Sequence, residues 1–260
     1  MTAALGFDWE LHEARERLLG KRHLFSVSEL YHENSKIVAA APGIAHTPES
    51  LAVGATGFKR YTYSPAVELP LPTATGALVA SMFARRSARD YAPEPLTLGE
   101  IGDLAYSASG LADERRRPAP SAGGLYPLEL YIAALDVTGL DQGLYHYDLR
   151  DHRLDQVSRG DCRPELAKAI FIEDAVAQAA AAFILSGVFG RSKIKYGERA
   201  YRFVLLEAGH VMQNLLLAAQ SAQLAACPVG GFVDDGLNDL LQIDGVEEAS
   251  LYAALVGRAP

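Results

Sequence analysis

The sequence predicts an α+β fold built from one sheet with a long helix buried against it. Two observations lead there. Helix and strand patterns succeed one another without the regular strand–helix–strand rhythm of a parallel sheet. The stretch from about Ala200 to Gln223 is also apolar on nearly every face of a helix, which requires neighbours on most sides. Its polar stripe is thin: Glu207, His210, Gln213 and Asn214.

In chain order, residues 8–33 read as helix in two pieces broken near Gly20, with Trp9 on an amphipathic face. Tyr31-His32-Glu33-Asn34-Ser35-Lys36 closes them. From Ile37 to Thr75 the chain is rich in Pro, Gly, Ala and Thr without a sustained period. Arms of that length often wrap a second subunit. The organisation expected is therefore an amino-terminal helical segment and arm over 1–75, followed by a main domain over 76–260. Gly76–Ala84 reads as an amphipathic helix, and Thr97 is placed to cap a helix over Leu98–Ser109. A loop over Ala108–Tyr126 precedes strands at Leu128–Leu135, Gly143–Asp148 and Arg153–Val157, the last two as a hairpin. Helices near Arg163–Phe171 and Ala175–Ala181 lead to an apolar strand, Ala182–Val188. After the long helix come a strand through Ala226–Phe232, a short helix near Asp235–Leu241 and a last strand, Leu251–Val256.

With 260 residues, 49% hydrophobic and 22% charged, the chain can bury a sizeable core. A net charge of −8 argues against nucleic acid, which is bound by neutralising phosphates with a basic face. Only Cys162 and Cys227 occur, so neither a disulfide framework nor a cysteine zinc site is expected, and a reducing cytoplasm fits. Asp8, Glu10 and Glu13 interrupt any signal-peptide core, no apolar run reaches membrane-spanning length, and no histidine pair has metal-ligand spacing.

Four elements carry chemistry. Arg85-Arg86-Ser87-Ala88-Arg89 packs three guanidiniums and a hydroxyl into five positions, a set suited to a phosphate monoester. By itself it reads as a solvated rim before it reads as a site. Pro120-Ser121-Ala122-Gly123-Gly124 lets backbone approach a flat ligand. Lys195-Tyr196, in a basic stretch read as loop, pairs two groups that can serve as base or acid. Pro228-Val229-Gly230-Gly231 at a strand end, with Arg258 near the terminus, completes the set. His210 reads as a satisfied core histidine and Tyr145-His146-Tyr147 as sheet packing. Arg115-Arg116-Arg117 reads as a solvated loop, or one that attracts an acidic leader peptide. One of Gln213 and Asn214 is expected to bond backbone or cofactor. Nucleotide-binding loops, a zinc-protease helix and a serine-hydrolase elbow are all missing.

Taken together, Arg85-Arg86-Ser87-x-Arg89-x-Tyr91, Pro120-Ser121-Ala122-Gly123-Gly124-Leu125-Tyr126-Pro127, Lys195-Tyr196-Gly197-x-Arg199 and Glu207-Ala208-Gly209-His210-x-x-Gln213-Asn214 resemble the nitroreductase-like flavoproteins. Within that family they resemble the SagB-type thiazole/oxazole dehydrogenases. Tyr31–Lys36 is similar to an element that precedes this domain in many SagB-type chains. The resemblance implies a nitroreductase-like fold, a mostly antiparallel central sheet and a homodimer holding FMN at its interface. It implies phosphate binding by Arg85, Ser87, Arg89 and Arg258 with Arg86 as neighbour, and a loop of Pro120, Ser121, Ala122 and Gly123 against the flavin of the other subunit. It implies backbone of Pro228, Val229, Gly230 and Gly231 facing the reactive flavin nitrogen, Asn214 near the cofactor, and Lys195 and Tyr196 as acid/base in azoline oxidation by hydride transfer to FMN. The substrate implied is a peptide or carrier-bound azoline, and any cyclodehydratase partner would act in trans. Two other readings stay open: an NAD(P)H-dependent nitroreductase, quinone reductase or oxidase of another heterocycle, and a non-catalytic scaffold subunit.

Overall fold

The computed structural model describes residues 26–38, 65–71, 73 and 76–260. The helical pieces expected before residue 26, Trp9 included, and most of the arm lie outside the described residues. Six strands form one sheet: β2 (Leu128–Ala134), β4 (Gly143–Asp148), β5 (Arg153–Arg159), β6 (Ala181–Val188), β7 (Leu224–Val229) and β8 (Glu248–Arg258). Their order is β5-β4-β2-β6-β8-β7. All five neighbouring pairs run antiparallel. Two-residue strands β1 (Leu96–Thr97) and β3 (Val137–Thr138) pair in parallel apart from it.

The centre of the sheet is buried on both sides, and the side-chain alternation of β6 shows how. Ala181, Phe183 and Leu185 join one apolar cluster, while Ala182 and Ile184 join the other. The first side is covered by α3 (Leu98–Ser109) and the long α7 (Arg199–Ser221), through Ile101, Leu104, Val204, Ala208, Met212 and Leu215. The second is covered by α4 (Arg163–Ala169), α5 (Glu173–Gln178) and α8 (Asp234–Leu241), through Leu166, Val176 and Leu237. β8 serves both clusters by the same alternation, and a bulge changes its parity: Leu185 faces Tyr252 but Ser186 faces Ser250. Three further helices complete the described residues: α1 (Val27–Ser35), α2 (Ala77–Ala84) and α6 (Phe189–Tyr196).

Local chemistry explains the boundaries. Thr97 and Glu100 form a reciprocal capping box that starts α3, with Glu100 N–H donating to Thr97 Oγ1 at 3.2 Å. Arg163-Pro164 opens α4, where the ring's missing N–H costs nothing.

Several expectations are corrected. The basic stretch around Lys195 is not a loop but α6, closed by Gly197 at φ +52. The strand after α7 ends at Val229, so the glycine pair lies beyond it. The long helix is less enclosed than its composition indicates. Arg202, Leu205, Leu206, Gly209, His210 and Gln213 share a solvent-facing side, and His210 is exposed rather than a core residue. Burying α7 against the sheet consumes one helix face, and Leu205 and Leu206 remain exposed among polar residues on the other. The same holds for α2, which buries no residue and leaves Phe83 79% exposed.

Phe183, fully buried at the centre of the sheet, tests this packing. Phe183→Ala is expected to lower unfolding free energy by about 3–5 kcal/mol, measured by urea denaturation, with the slope on urea unchanged.

Candidate active site

Two groups of residues are assembled, at different places on the sheet. The first lies where β2 begins and β6 ends, since Leu128 pairs with Gly187 there. The loop before β2 thereby meets α6, which follows β6. Gly123 sits at φ +64, and a Cβ at that position would stand 2.6 Å from Tyr196 Oη and 2.7 Å from Lys195 Nζ. The backbone conformation calls for glycine, and any side chain there would displace the ends of Lys195 and Tyr196. Lys195 is exposed and Tyr196 half-buried in the last turn of α6, with the Lys195 ammonium 5.3 Å from the Tyr196 ring centre. Phe203 meets the Tyr196 ring edge-on at 5.0 Å. Pro120 is exposed, and Ser121 and Ala122 are half-buried.

Ser121 anchors this loop. Its hydroxyl donates to Glu207 Oε2 at 2.6 Å and accepts from the Tyr126 N–H at 2.9 Å. Glu207 is only 4% exposed. Burial pushes its carboxyl above the ordinary glutamate range, opposed by the Ser121 bond and the nearby Arg117 charge. Arg117 is not the solvated loop residue its neighbours indicated. Its guanidinium lies 4.8 Å from the Tyr126 ring centre and donates to Leu128 O at 3.2 Å. Beyond it, Glu129 bonds His146 at 3.0 Å and pairs with Arg191. Burial raises the Glu129 carboxyl, but those two partners outweigh it and hold it below its ordinary value.

The second group lies at β7 and the far end of β8. The Ala88 N–H donates to Ala226 O at 3.0 Å and the Ala92 N–H to Arg258 O at 3.1 Å. Tyr91 packs across Gly257, where a Cβ would meet its ring at 2.9 Å. These contacts bring the arginine segment, β7 and the carboxy-terminal strand together. Arg85 Nη1 reaches Ser87 Oγ at 3.5 Å, and Ser87 and Arg89 are exposed. Val229 is buried, Pro228 half-buried, and Gly230 and Gly231 exposed.

Arg258, expected at the phosphate, and Arg86, expected beside it, both have protein partners in this structure. Arg86 turns back on the carbonyls of Phe83 at 2.7 Å and Arg85 at 2.9 Å, satisfying the end of α2. Arg258 is gripped by both oxygens of Glu100, at 2.5 and 2.8 Å. That is the fork-to-fork geometry of a structural tie. Asn214 is half-buried on α7, and among the described residues neither it nor Gln213 makes a side-chain hydrogen bond. Glu207 and Arg117 are the site residues that sequence reasoning did not assign. The signal for Glu207 was present, since it is the only acid within α7.

A flavin mononucleotide needs a cationic cradle and exposed, side-chain-free backbone for its ring. Arg85, Ser87 and Arg89 fit the first, and Gly230 and Gly231 fit the second. The two groups do not meet within one chain: β2 and β7 are separated by β6 and β8, about 14 Å at ordinary strand spacing.

Residues 82–258 match the Nitroreductase family. The chain is also 37% identical, over 67% of its length and 87% of the other's, to the candidate nitroreductase MJ1384 of Methanocaldococcus jannaschii. The chain belongs to the Nitroreductase family. That family consists of flavin-dependent oxidoreductases. Further relatives are the trifolitoxin-processing protein TfxB of Rhizobium leguminosarum bv. trifolii, 29% identical over 55% of this chain, and the microcin B17-processing protein McbC of Escherichia coli, 26% identical over 55%. This chain spans 40% of TfxB and 54% of McbC. Among solved structures, a chain of the E. coli microcin synthetase McbBCD complex, with truncated pro-MccB17 bound, matches 97% of this chain and 94% of its own. The TM-score is 0.65 at 21% identity, which establishes a shared fold. No helix among the described residues is long and apolar enough to cross a membrane.

Glu207 gives the site a pH signature. A carboxyl raised above its unfolded value binds its proton more tightly when folded, so its contribution to stability falls as pH rises above the ordinary value of 4.5. Glu207→Gln, which can still accept from Ser121, is expected to lack that decline. The melting temperature of the variant minus that of the native protein should rise from pH 4 to pH 7. A flat or falling difference would refute the burial account.

Proposed function

We propose that this chain is an FMN-dependent dehydrogenase that oxidises thiazoline or oxazoline rings in a peptide to thiazole or oxazole. The observation that carries the proposal is the contact of the Ser121–Gly123 loop with Lys195 and Tyr196. It sets a potential base and a potential acid against a backbone surface with no side chain to block a ring. The kinship with two peptide-processing proteins supports a peptide substrate.

The chemistry assigns work to each group. Aromatising an azoline removes two protons and two electrons. Lys195 Nζ or Tyr196 Oη takes the proton from the ring carbon, since the two lie side by side on a short helix turn. General-base catalysis of this kind contributes roughly 10²–10⁴-fold. Bound FMN would supply the two-electron acceptor. Arg85, Ser87 and Arg89 would hold its phosphate, with Arg86 and Arg258 shaping the segment through their protein contacts. The exposed N–H groups of Gly230 and Gly231 would face the ring, where a donor stabilises developing negative charge.

We further propose that the site is completed by a second copy of this chain. Leu78, Met82 and Phe83 on α2 and Leu205 and Leu206 on α7 present exposed apolar surface on two helices that touch each other. A homodimer through this face would bring the arginine segment of one protomer toward the Lys195 turn of the other. A cyclodehydratase acting in trans would supply the azoline peptide.

The test is anaerobic mixing of the FMN-loaded protein with an azoline peptide. Loss of the yellow flavin absorbance and a product lighter by two hydrogens are expected. Lys195→Met and Tyr196→Phe should each reduce the bleaching rate by about 10²-fold or more, with flavin content unchanged. The similarity to MJ1384 favours a second reading, an NAD(P)H-dependent nitroreductase. Bleaching by NAD(P)H and not by the peptide would establish that one and overturn the first.

A further inference from the structure

We infer that residues 26–38 act as a strap that sets the position of the Lys195–Tyr196 turn relative to the Gly230–Gly231 turn. The inference rests on the site reading above and adds Glu29, His32 and Asp234 as positioning residues.

The strap grips α6 and the start of α7 at three points. Glu29 accepts from Lys193 Nζ at 2.8 Å, and Lys193 is only 4% exposed. The Ser28 N–H donates to Glu198 Oε2 at 2.7 Å, and Glu198 is the residue that leads into α7. His32 Nδ1 lies 3.0 Å from Tyr201 Oη, with its ring edge-on to Phe189 at 5.5 Å. Lys193 and Glu198 stand two residues on either side of the Lys195–Tyr196 pair. A short helix that ends at a glycine has little rigidity of its own. The pair therefore takes its position from these anchors on one side and from Gly123 on the other.

The other end of the strap is tied elsewhere. The Ile37 N–H donates to Asp234 Oδ2 at 2.8 Å, and the Asp234 N–H donates back to Ile37 O at 3.3 Å. Lys36 pairs with Asp235 at 3.2 Å. Asp234 and Asp235 open α8, three and four residues after Gly231. One continuous segment of chain thus joins the turn that carries the proposed base to the turn proposed to face the cofactor in the other site of the proposed dimer, so the strap links the two sites. In the Lys193–Glu29 pair the lysine is buried and the glutamate half-buried, so removing Glu29 strands a buried ammonium.

The experiment breaks the strap at its far end. Lys36→Ala and Asp234→Ala touch nothing on α6, and Lys36→Ala, which also leaves the charge of Asp234 near Tyr201 in place, isolates the route through residues 26–38. In the full-length, FMN-loaded protein, amide hydrogen exchange of peptides covering 193–198 is expected to speed up at least fivefold in Asp234→Ala. The value of kcat for azoline oxidation should fall about tenfold, with KM and flavin content unchanged. Glu29→Gln, which acts at the near end, should give the same pattern. Faster exchange confined to 36–38 and 232–241, with 193–198 unaffected, would overturn the strap. A rise in KM alone would overturn it as well. The exchange measurement needs no azoline, so the strap stands or falls separately from the choice of substrate.

Discussion

The approach of the Gly123 backbone to Lys195 and Tyr196 is the constraint from which the rest of the site follows. The backbone conformation there favours glycine, and a methyl group could be added only if the Lys195 and Tyr196 side-chain ends moved away. The loop can lie so close only because Ser121 is held from behind by Glu207. Glu207 can be buried on an apolar helix only because the Ser121 hydroxyl and the Arg117 charge answer it. Arg117 in turn reaches the first residue of β2, so the loop is registered against the sheet. A surface turn of small residues is thereby fixed against the sheet and against the end of α6.

Sheet topology separates this loop from the arginine segment proposed to hold the phosphate. The loop before β2 and the helix after β6 meet because those strands are antiparallel neighbours. The arginine segment attaches to β7 and to the end of β8, across the width of the sheet and toward its opposite end. The apolar side chains left exposed on α2 and α7 are what such an arrangement requires if the arginine segment comes from another copy. In that account the exposed leucines on α7, uneconomical for an isolated chain, become interface residues.

Much of the fold was legible in the sequence because the signals were local. The capping box at Thr97, the alternation in β4, and the continuous apolar run of β6 each depend on neighbours within a few positions. The site types were legible too: guanidiniums near a hydroxyl, glycines in a turn, a Lys beside a Tyr. What could not be read was pairing at a distance. That Arg258 answers Glu100, that Arg86 folds onto its own helix end, and that Glu207 holds Ser121 are facts of three-dimensional placement. The exposure of His210 was missed for the same reason. An apolar helix reads as buried all round whether its outer face meets its own chain or another copy. The helical state of residues 189–196 was hidden by three basic residues within it, two of which, Lys193 and Lys195, lie in the last turn where the helix dipole favours their charge.

The measurement that bears most directly on a site shared between two chains is complementation between two defective variants. Lys195→Met and Arg89→Glu proteins, each inactive alone, would be mixed, unfolded together and refolded with FMN. If each site takes its arginines from one protomer and its Lys195 turn from the other, half of the dimers formed are mixed and each restores one of two sites. Azoline oxidation at about a quarter of the native rate is then expected from random pairing. Activity no greater than the sum of the two separate variants would contradict the shared site and return both groups to a single chain.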